Sequence, residues 1–209
     1  MKICIGITTT KNREKLFAET FVRLVENTPV NVSYKVYRDD KYEGIAIAKN
    51  RCMAKCMENA PDFIVLLDDD IYSLDIDWVY KYIESGLNHA MYIFDRPVVT
   101  QESNYTEYAL PRGCMLFFTR HCIETAGGFD ERFIKWGYEH AELSQRIYNM
   151  GLIPAPFIDI SDSKGLFYSH DEHATCKSSV VDADRVTGIR HNKPLYEASI
   201  LNNKFIPYK

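Results

Sequence analysis

The sequence predicts an α/β fold built on a mostly parallel central sheet flanked by helices. Three observations predict it. Short apolar runs alternate with amphipathic helical stretches along the first hundred residues, and that alternation implies parallel strands with helices on both faces. The run Phe63–Leu67 is apolar at every position, as a strand buried on both faces requires. The 209 residues, 46% hydrophobic and 26% charged, suffice for one globular domain with its own core.

Taken in order, Ile3–Ile7 reads as a first buried strand. Glu14–Asn27 reads as a helix with Leu16, Phe17, Phe21, Leu24 and Val25 on one face. Val32, Tyr34 and Val36 alternate as in a half-exposed strand. A helix from Gly44 to Glu58 turns Ile45, Ala48, Cys52 and Cys56 inward, and Phe63–Leu67 follows as a strand. Trp78, Val79, Tyr82, Ile83 and Leu87 mark another helix, and Ala90–Phe94 another strand. The second half changes character. Cys114–Thr119 reads as a strand, Arg120–Ala126 as a short helix and Glu139–Met150 as a longer one. Phe157–Ile160 and Gly165–Ser169 read as strands of a smaller, mixed C-terminal part. The polar residues after Ala174 read as a loop-rich, mobile segment.

Several classes are set aside. No apolar run reaches the length of a membrane span. The N-terminal MKICIGITTTKNRE reads as a strand and not as a secretory leader, because it has no small-residue cleavage site. A net charge of −4 gives no electrostatic case for nucleic acid. The six cysteines, Cys4, Cys52, Cys56, Cys114, Cys122 and Cys176, contain no C-x-x-C pair, so zinc ligation and a disulfide scaffold are disfavoured. Buried thiols in a reducing cytoplasm are the expectation.

The chemistry concentrates in DFIVLLDDDIY, where a buried strand ends in Asp68, Asp69 and Asp70. Three adjacent carboxylates repel one another and call for an opposing charge. In an extended chain Asp68 and Asp70 point to one side and Asp69 to the other. Two carboxylates at the carboxyl end of a parallel strand lie where open α/β sheets bind ligands. An oxygen-only set with few protein ligands suits Mg²⁺ or Mn²⁺, with positions left for substrate phosphates. The competing reading is a solvated acidic turn that caps the next helix.

Four pieces in order resemble the glycosyltransferases of the GT-A fold, most of all family 2 and the related galactosyltransferases. ITTTKNR (Ile7–Arg13) resembles the first-strand turn that receives the nucleotide. YRDDKYEGIAIAKNRCMAKC resembles the segment with an acidic pair after the second strand. FIVLLDDDI matches the D-x-D motif. GCMLFFTRHCIETAGGFDERFIKWGYEHAELSQRIYNMG resembles the late segment with G-G-F-D-E and then W-G-x-E-D. The resemblance spans most of Met1–Gly151 and implies a Rossmann-like GT-A domain. In it, residues 1–100 bind the nucleotide-sugar, 101–173 carry the acceptor and catalytic groups, and 174–209 form a lid or tail.

By the same resemblance, Thr8, Thr9 and Arg13 line the nucleotide pocket, with Asp39 or Asp40 meeting the base. Lys49 faces the diphosphate beside Asn50. Asp68 and Asp70 hold Mn²⁺ (or Mg²⁺), Asp69 meets the ribose or sugar, and His170, preferred over His173 in LFYSHDEH, completes the metal site. Trp136 and Gly137 lie beside the sugar and acceptor. The sequence departs from the family at the expected base: Trp136-Gly137-Tyr138-Glu139-His140 has histidine where the W-G-x-E-D aspartate stands. An imidazole takes a proton at neutral pH, so His140 and Glu139 are both candidates, with Glu142 behind them. A chain that has lost catalysis is the alternative at this position. In the tail, Lys177, Ser178, Arg190 and His191 are read as a lid or as a frayed terminus.

The activity implied is metal-dependent, inverting transfer of a sugar from a nucleotide-sugar, a UDP-sugar by resemblance, to an acceptor hydroxyl on a glycan, a lipid-linked sugar, a protein or a modified nucleobase. Two rivals stand. A nucleotidyltransferase uses similar acidic ligands, but TTTKNRE lacks the glycine-rich loop it needs. A non-catalytic sugar- or nucleotide-binding module keeps the pocket without turnover. A glycosidase is disfavoured, since three neighbours at one strand end cannot flank a bond from both sides.

Overall fold

The computed structural model describes residues 1–176 and 181–208. Its central sheet is built from β1 (Ile3–Thr9), β2 (Val32–Arg38), β3 (Phe63–Asp68), β5 (His89–Met91) and β8 (Met115–Thr119), in the order β2-β1-β3-β8-β5. The β1–β2 and β1–β3 pairs are parallel, and β8 is antiparallel to both neighbours. Four of the five strands therefore point the same way, as the strand–helix alternation predicts.

Helices cover both faces. Strand residues alternate in facing, so adjacent side chains identify the two sides. On one side Gly6 meets Cys52 and Cys56 of α2 (Ile45–Met57), and His89 reaches Ser144 of α5 (Glu139–Asn149). On the other, Tyr34 packs on Phe21 of α1 (Glu14–Glu26), and Phe117 on Tyr82 of α3 (Trp78–Glu84). Gly6 has no room for a side chain, since a Cβ there would lie 2.8 Å from both sulfurs of α2. Of the predicted α1 face, Leu24 is buried and Phe17 and Phe21 pack on the core, whereas Val25 is 42% exposed. All six cysteines are free thiols, and all but Cys176 are buried.

Two small sheets complete the α/β body. β4 (Ile71–Ser73) pairs antiparallel with β10 (Phe167–Ser169), and β6 (Val98–Gln101), β7 (Tyr105–Tyr108) and β9 (Ile158–Ile160) form a three-stranded antiparallel sheet. The short helix α4 (Arg120–Ala126) begins with a Thr119 cap on the Cys122 amide, 3.1 Å away. No helix among the described residues is long and apolar enough to cross a membrane.

The C-terminal segment corrects the loop-rich expectation. Asp182–Ser199 forms an 18-residue helix, α6, despite Pro194 inside it. Its firmest anchor is polar and local. Asn192, fully buried, accepts from the Ile134 amide (3.0 Å) and donates to the carbonyls of Ile134 (2.9 Å), Trp136 (3.2 Å) and Gly137 (2.8 Å). Gly188 lies against Trp136 so closely that a Cβ would fall 2.3 Å from its carbonyl oxygen. Such a contact leaves no apolar stripe for a periodicity reading to detect. Arg190 and His191 are exposed on this helix, while Lys177 and Ser178 lie outside the described residues. Farther on, Ile206 bridges Gly127, whose φ of 79° and bare Cα admit the crossing backbone.

Candidate active site

A cleft of about 470 Å³ opens at the carboxyl ends of β1 and β3. Register sets its floor: Thr8 of β1 stands opposite Asp68 of β3. The chain then leaves the strand in a turn at Asp69–Asp70 before β4, so Asp69 and Asp70 converge on one cation and Asp68 turns to another, instead of Asp68 and Asp70 sharing a side.

Each acid has a protein counter-ion. Asp69 is buried, accepting from Thr9 Oγ1 (2.7 Å) and from Arg13 Nε (3.1 Å) and Nη2 (2.9 Å). The same Nη2 donates to Asp70 at 2.6 Å. Thr20 of α1 holds the turn by donating to the Asp69 carbonyl at 2.7 Å. Burial would lower the Arg13 pKa, but Asp69 and Asp70 outweigh it and push it up. Asp68 pairs with Lys49 of α2 at 3.2 Å, and Lys49, itself buried, also donates to the Gly113 carbonyl at 2.5 Å. Desolvation by the cleft walls raises Asp68, Lys49 pulls it down, and Asp70 and Asp69 push it up again, leaving it at about 6.

Across the cleft, His140 and Glu139 form a dyad at the start of α5. The Glu139 carboxylate is buried and lies 2.9 Å from His140 Nδ1, and its other oxygen accepts from the Gly137 amide at 2.9 Å. Burial would raise Glu139, but His140 and then Lys49 overcome it and hold the carboxyl at about 2. An ionised carboxylate only accepts, so Nδ1 carries the proton in this contact. Gly113 makes the room: a Cβ there would lie 2.8 Å from the imidazole. The loop that delivers the dyad runs through Lys135 (φ 56°), Gly137 (φ 98°) and Tyr138 (φ 72°). Left-handed backbone at non-glycine positions is a strain that clusters at functional sites.

The structure brings Thr8, Thr9, Arg13, Asp39, Lys49, Asp68, Asp69, Asp70, Trp136, Glu139 and His140 to one cleft. It does not bring several others there. Asn50 is buried with its amide spent on the Phe129 backbone and Glu131, fixing the Gly127–Phe129 turn. Asp40 is exposed beside Arg38, and of the acidic pair Asp39 alone lines the cleft. Glu142 is locked to Arg146 (2.9 Å) inside the core, so it stands outside the contest for the base. The His170 ring bonds Thr175 (2.8 Å) and packs on Tyr168 and Tyr72, while its backbone amide holds the Asp70 carbonyl at 2.9 Å. Gly137 lines a neighbouring groove instead of the cleft.

Sequence reading misses Arg96, Arg112 and Arg185, which also line the cleft. They stand in stretches with no motif. Thr10 Oγ1 and Arg96 Nε are buried at the cleft with no hydrogen-bond partner among the described residues. Burial lowers the Arg96 pKa, and neighbouring Arg112 lowers it further. Orphaned polar atoms beside clustered guanidinium groups suit a phosphate-bearing ligand.

No group of three His, Cys, Asp or Glu among the described residues is assembled to hold a metal ion. Asp68 Oδ2 and Asp70 Oδ1 nonetheless stand outside the pairs with Lys49 and Arg13. Two hard oxygens, on carboxyls whose mutual repulsion raises Asp68, fit a divalent ion that brings its remaining ligands with a diphosphate.

Comparison with known proteins agrees with this architecture. Residues 97–159 match the family described as N-terminal domain of galactosyltransferase. An uncharacterized glycosyltransferase of Acanthamoeba polyphaga mimivirus is 27% identical over 165 residues, covering 73% of this chain; the chain spans 64% of that relative's length. Among solved structures, the catalytic domain of Drosophila β1,4-galactosyltransferase 7 with xylobiose superposes with a TM-score of 0.50 at 12% identity, over 91% of this chain and 81% of that one. GalNAc-T7 with UDP, GalNAc and Mn²⁺ superposes at 0.54 and 11% identity, over 100% of this chain and 52% of that one. The chain has the GT-A fold, and its sequence resemblance to GT-A glycosyltransferases is borne out.

Proposed function

We propose that this chain is a glycosyltransferase that moves a sugar from a nucleotide-sugar, a UDP-sugar in the first instance, to an acceptor hydroxyl with inversion. The observation that carries the reading is one cleft walled on one side by acids with their counter-ions and on the other by a carboxylate–imidazole dyad. UDP and Mn²⁺ in the GalNAc-T7 structure, on the same fold, support the donor and the metal.

His140 is the base and Glu139 positions it. With Nδ1–H directed at Glu139, Nε2 takes the acceptor hydroxyl proton as the acceptor oxygen bonds the anomeric carbon. The bond from that carbon to the diphosphate oxygen breaks, and its electron pair leaves with the diphosphate. Glu139 is ill suited to be the base itself, because a carboxyl held at about 2 has little affinity for a proton. Arg13, Lys49 and Arg96 offer charge for the departing diphosphate. Asp68 and Asp70 would hold Mn²⁺ or Mg²⁺, which supplies Lewis-acid stabilisation of the leaving group when bound. Trp136 and Gly137 flank the acceptor side, with Thr8, Thr9 and Asp39 on the nucleoside side. In this reading residues 1–100 chiefly serve the donor and 101–173 the acceptor.

The test is a panel of nucleotide-sugars assayed for release of the nucleoside diphosphate, with and without Mn²⁺, water serving as the slow acceptor. UDP release from at least one donor, lost in Asp70→Ala, is the expected result. A chain that neither binds nor hydrolyses any donor in either condition is not a glycosyltransferase.

A further inference from the structure

A second recess, a groove of about 270 Å³, adjoins the cleft at His140. It shares Pro111, Trp136 and His140 with the cleft, so an occupant lies against the same imidazole. Its character is opposite to that of the cleft. Trp136, Tyr138, Phe157, Ile189 and Tyr196 form its walls with Leu110 at the rim, and no acid, lysine or arginine among the described residues lines it. Leu110 is 53% exposed and Ile189 is 40% exposed. That is apolar surface left open to water beside a reactive group.

The walls are set in place and not collapsed. Tyr138 and Tyr196 pack ring to ring at 5.3 Å, tying the catalytic loop to α6. The buried Asn192 and the close approach of Gly188 fix α6 against the Trp136–Gly137 backbone. A sugar filling this groove would leave its hydroxyls with few partners, a costly arrangement. An apolar cavity of about 150 Å³ already takes benzene. The groove is larger and lined by aromatic rings, which fits a ring-sized apolar group.

We infer that the acceptor carries a ring-sized apolar aglycone next to the attacked hydroxyl, and that the groove formed by the catalytic loop and α6 selects for it. This rests on the transferase reading, with His140 joining the two recesses.

The probes are phenyl and methyl β-D-glucopyranoside, with affinities read by ligand-observed NMR or calorimetry on the full chain. The phenyl glycoside is expected to bind roughly tenfold tighter or more, from burial of the ring. The preference is expected to fall to about twofold or less in Ile189→Glu and in Leu110→Glu, since each puts an unpaired charge against the ring. Both side chains are partly exposed, and circular dichroism and thermal midpoints check that the variants fold. Equal affinity for the two glycosides, or a preference that both variants keep, overturns the inference. UDP binding on the same samples separates the two readings. A phenyl preference in a chain that binds no UDP defeats the transferase and leaves an aromatic site. UDP binding with no phenyl preference defeats the groove assignment alone.

Discussion

One Arg13 nitrogen, Nη2, lies 2.9 Å from Asp69 and 2.6 Å from Asp70, so a single guanidinium bridges two of the three consecutive acids. The third, Asp68, is neutralised by Lys49 from another helix. Three like charges at a strand end are therefore tolerated at rest by cations of the chain itself.

It follows that a metal ion competes with Arg13 for Asp70. Arg13→Gln is expected to bind Mn²⁺ in the absence of nucleotide on the order of fivefold more tightly, read by electron paramagnetic resonance of free Mn²⁺. It also leaves the buried Asp69 without its ion pair, which lowers stability by ~3 kcal/mol in urea unfolding. Unchanged or weaker Mn²⁺ affinity would mean that Arg13 and the ion do not share Asp70.

The roles in the dyad separate by pH. Glu139, at about 2, stays ionised through the working range and contributes no acid limb to the rate. His140→Ala is expected to lose about 10²–10⁴ in rate and to keep only the acid limb of Asp68, whose carboxyl lies at about 6. Glu139→Gln is expected to lose rate but keep the parent's pH profile. A His140→Ala rate within about tenfold of the parent assigns the base elsewhere.

His89 makes the fold acid-sensitive. Its Nδ1 donates to the Phe117 carbonyl and its Nε2 accepts from Ser144, both at 2.8 Å, and desolvation lowers its pKa to about 4 from an ordinary 6.5. A histidine held neutral by the fold contributes stability that is present above pH 6.5 and lost as pH falls toward 4. The loss amounts to ~3 kcal/mol for this fully buried ring. Urea unfolding at about pH 7 and about pH 4.5 should show a smaller acid loss in His89→Gln than in the parent chain. Equal losses would place the acid sensitivity in the carboxylates.

Asn192→Ala strips three backbone carbonyls and one amide of their partner. It is expected to cost ~2–3 kcal/mol and to expose the Ile134–Gly137 amides to hydrogen exchange. Gly188→Ala forces the Trp136 carbonyl away and should slow transfer by displacing the loop that leads to His140. An undisturbed exchange pattern in both variants would show that α6 does not hold this loop.

The central sheet is legible because its strands are apolar runs and its helices are amphipathic. Phe63–Leu67, Arg120–Ala126 and the start of α5 at Glu139 appear where the pattern puts them. The strand β6 is not legible: Val98–Gln101 is exposed throughout and has no alternation to read. β4 is hidden because Ile71–Ser73 follows directly on the acid turn. The acid turn and the dyad are readable from residue type and order. The counter-ions are not fully so, since residue order assigns Arg13 to the nucleotide, whereas it meets Asp69 across 56 residues. Asn50 and the Gly127–Gly128 pair illustrate the reverse case. The segment of strongest family likeness here does architectural duty, Asn50 holding the Phe129 backbone while the glycines admit Asn50, Ile206 and Tyr208.

Because Arg13 and Lys49 already offset the acid turn, a divalent ion is not what keeps this polypeptide folded. Chelator in the buffer should leave its melting temperature where it was, in contrast to small domains whose folding free energy is metal binding. Purification in EDTA, followed by adding back one metal at a time, is therefore a workable route to testing which ion, if any, the chain binds.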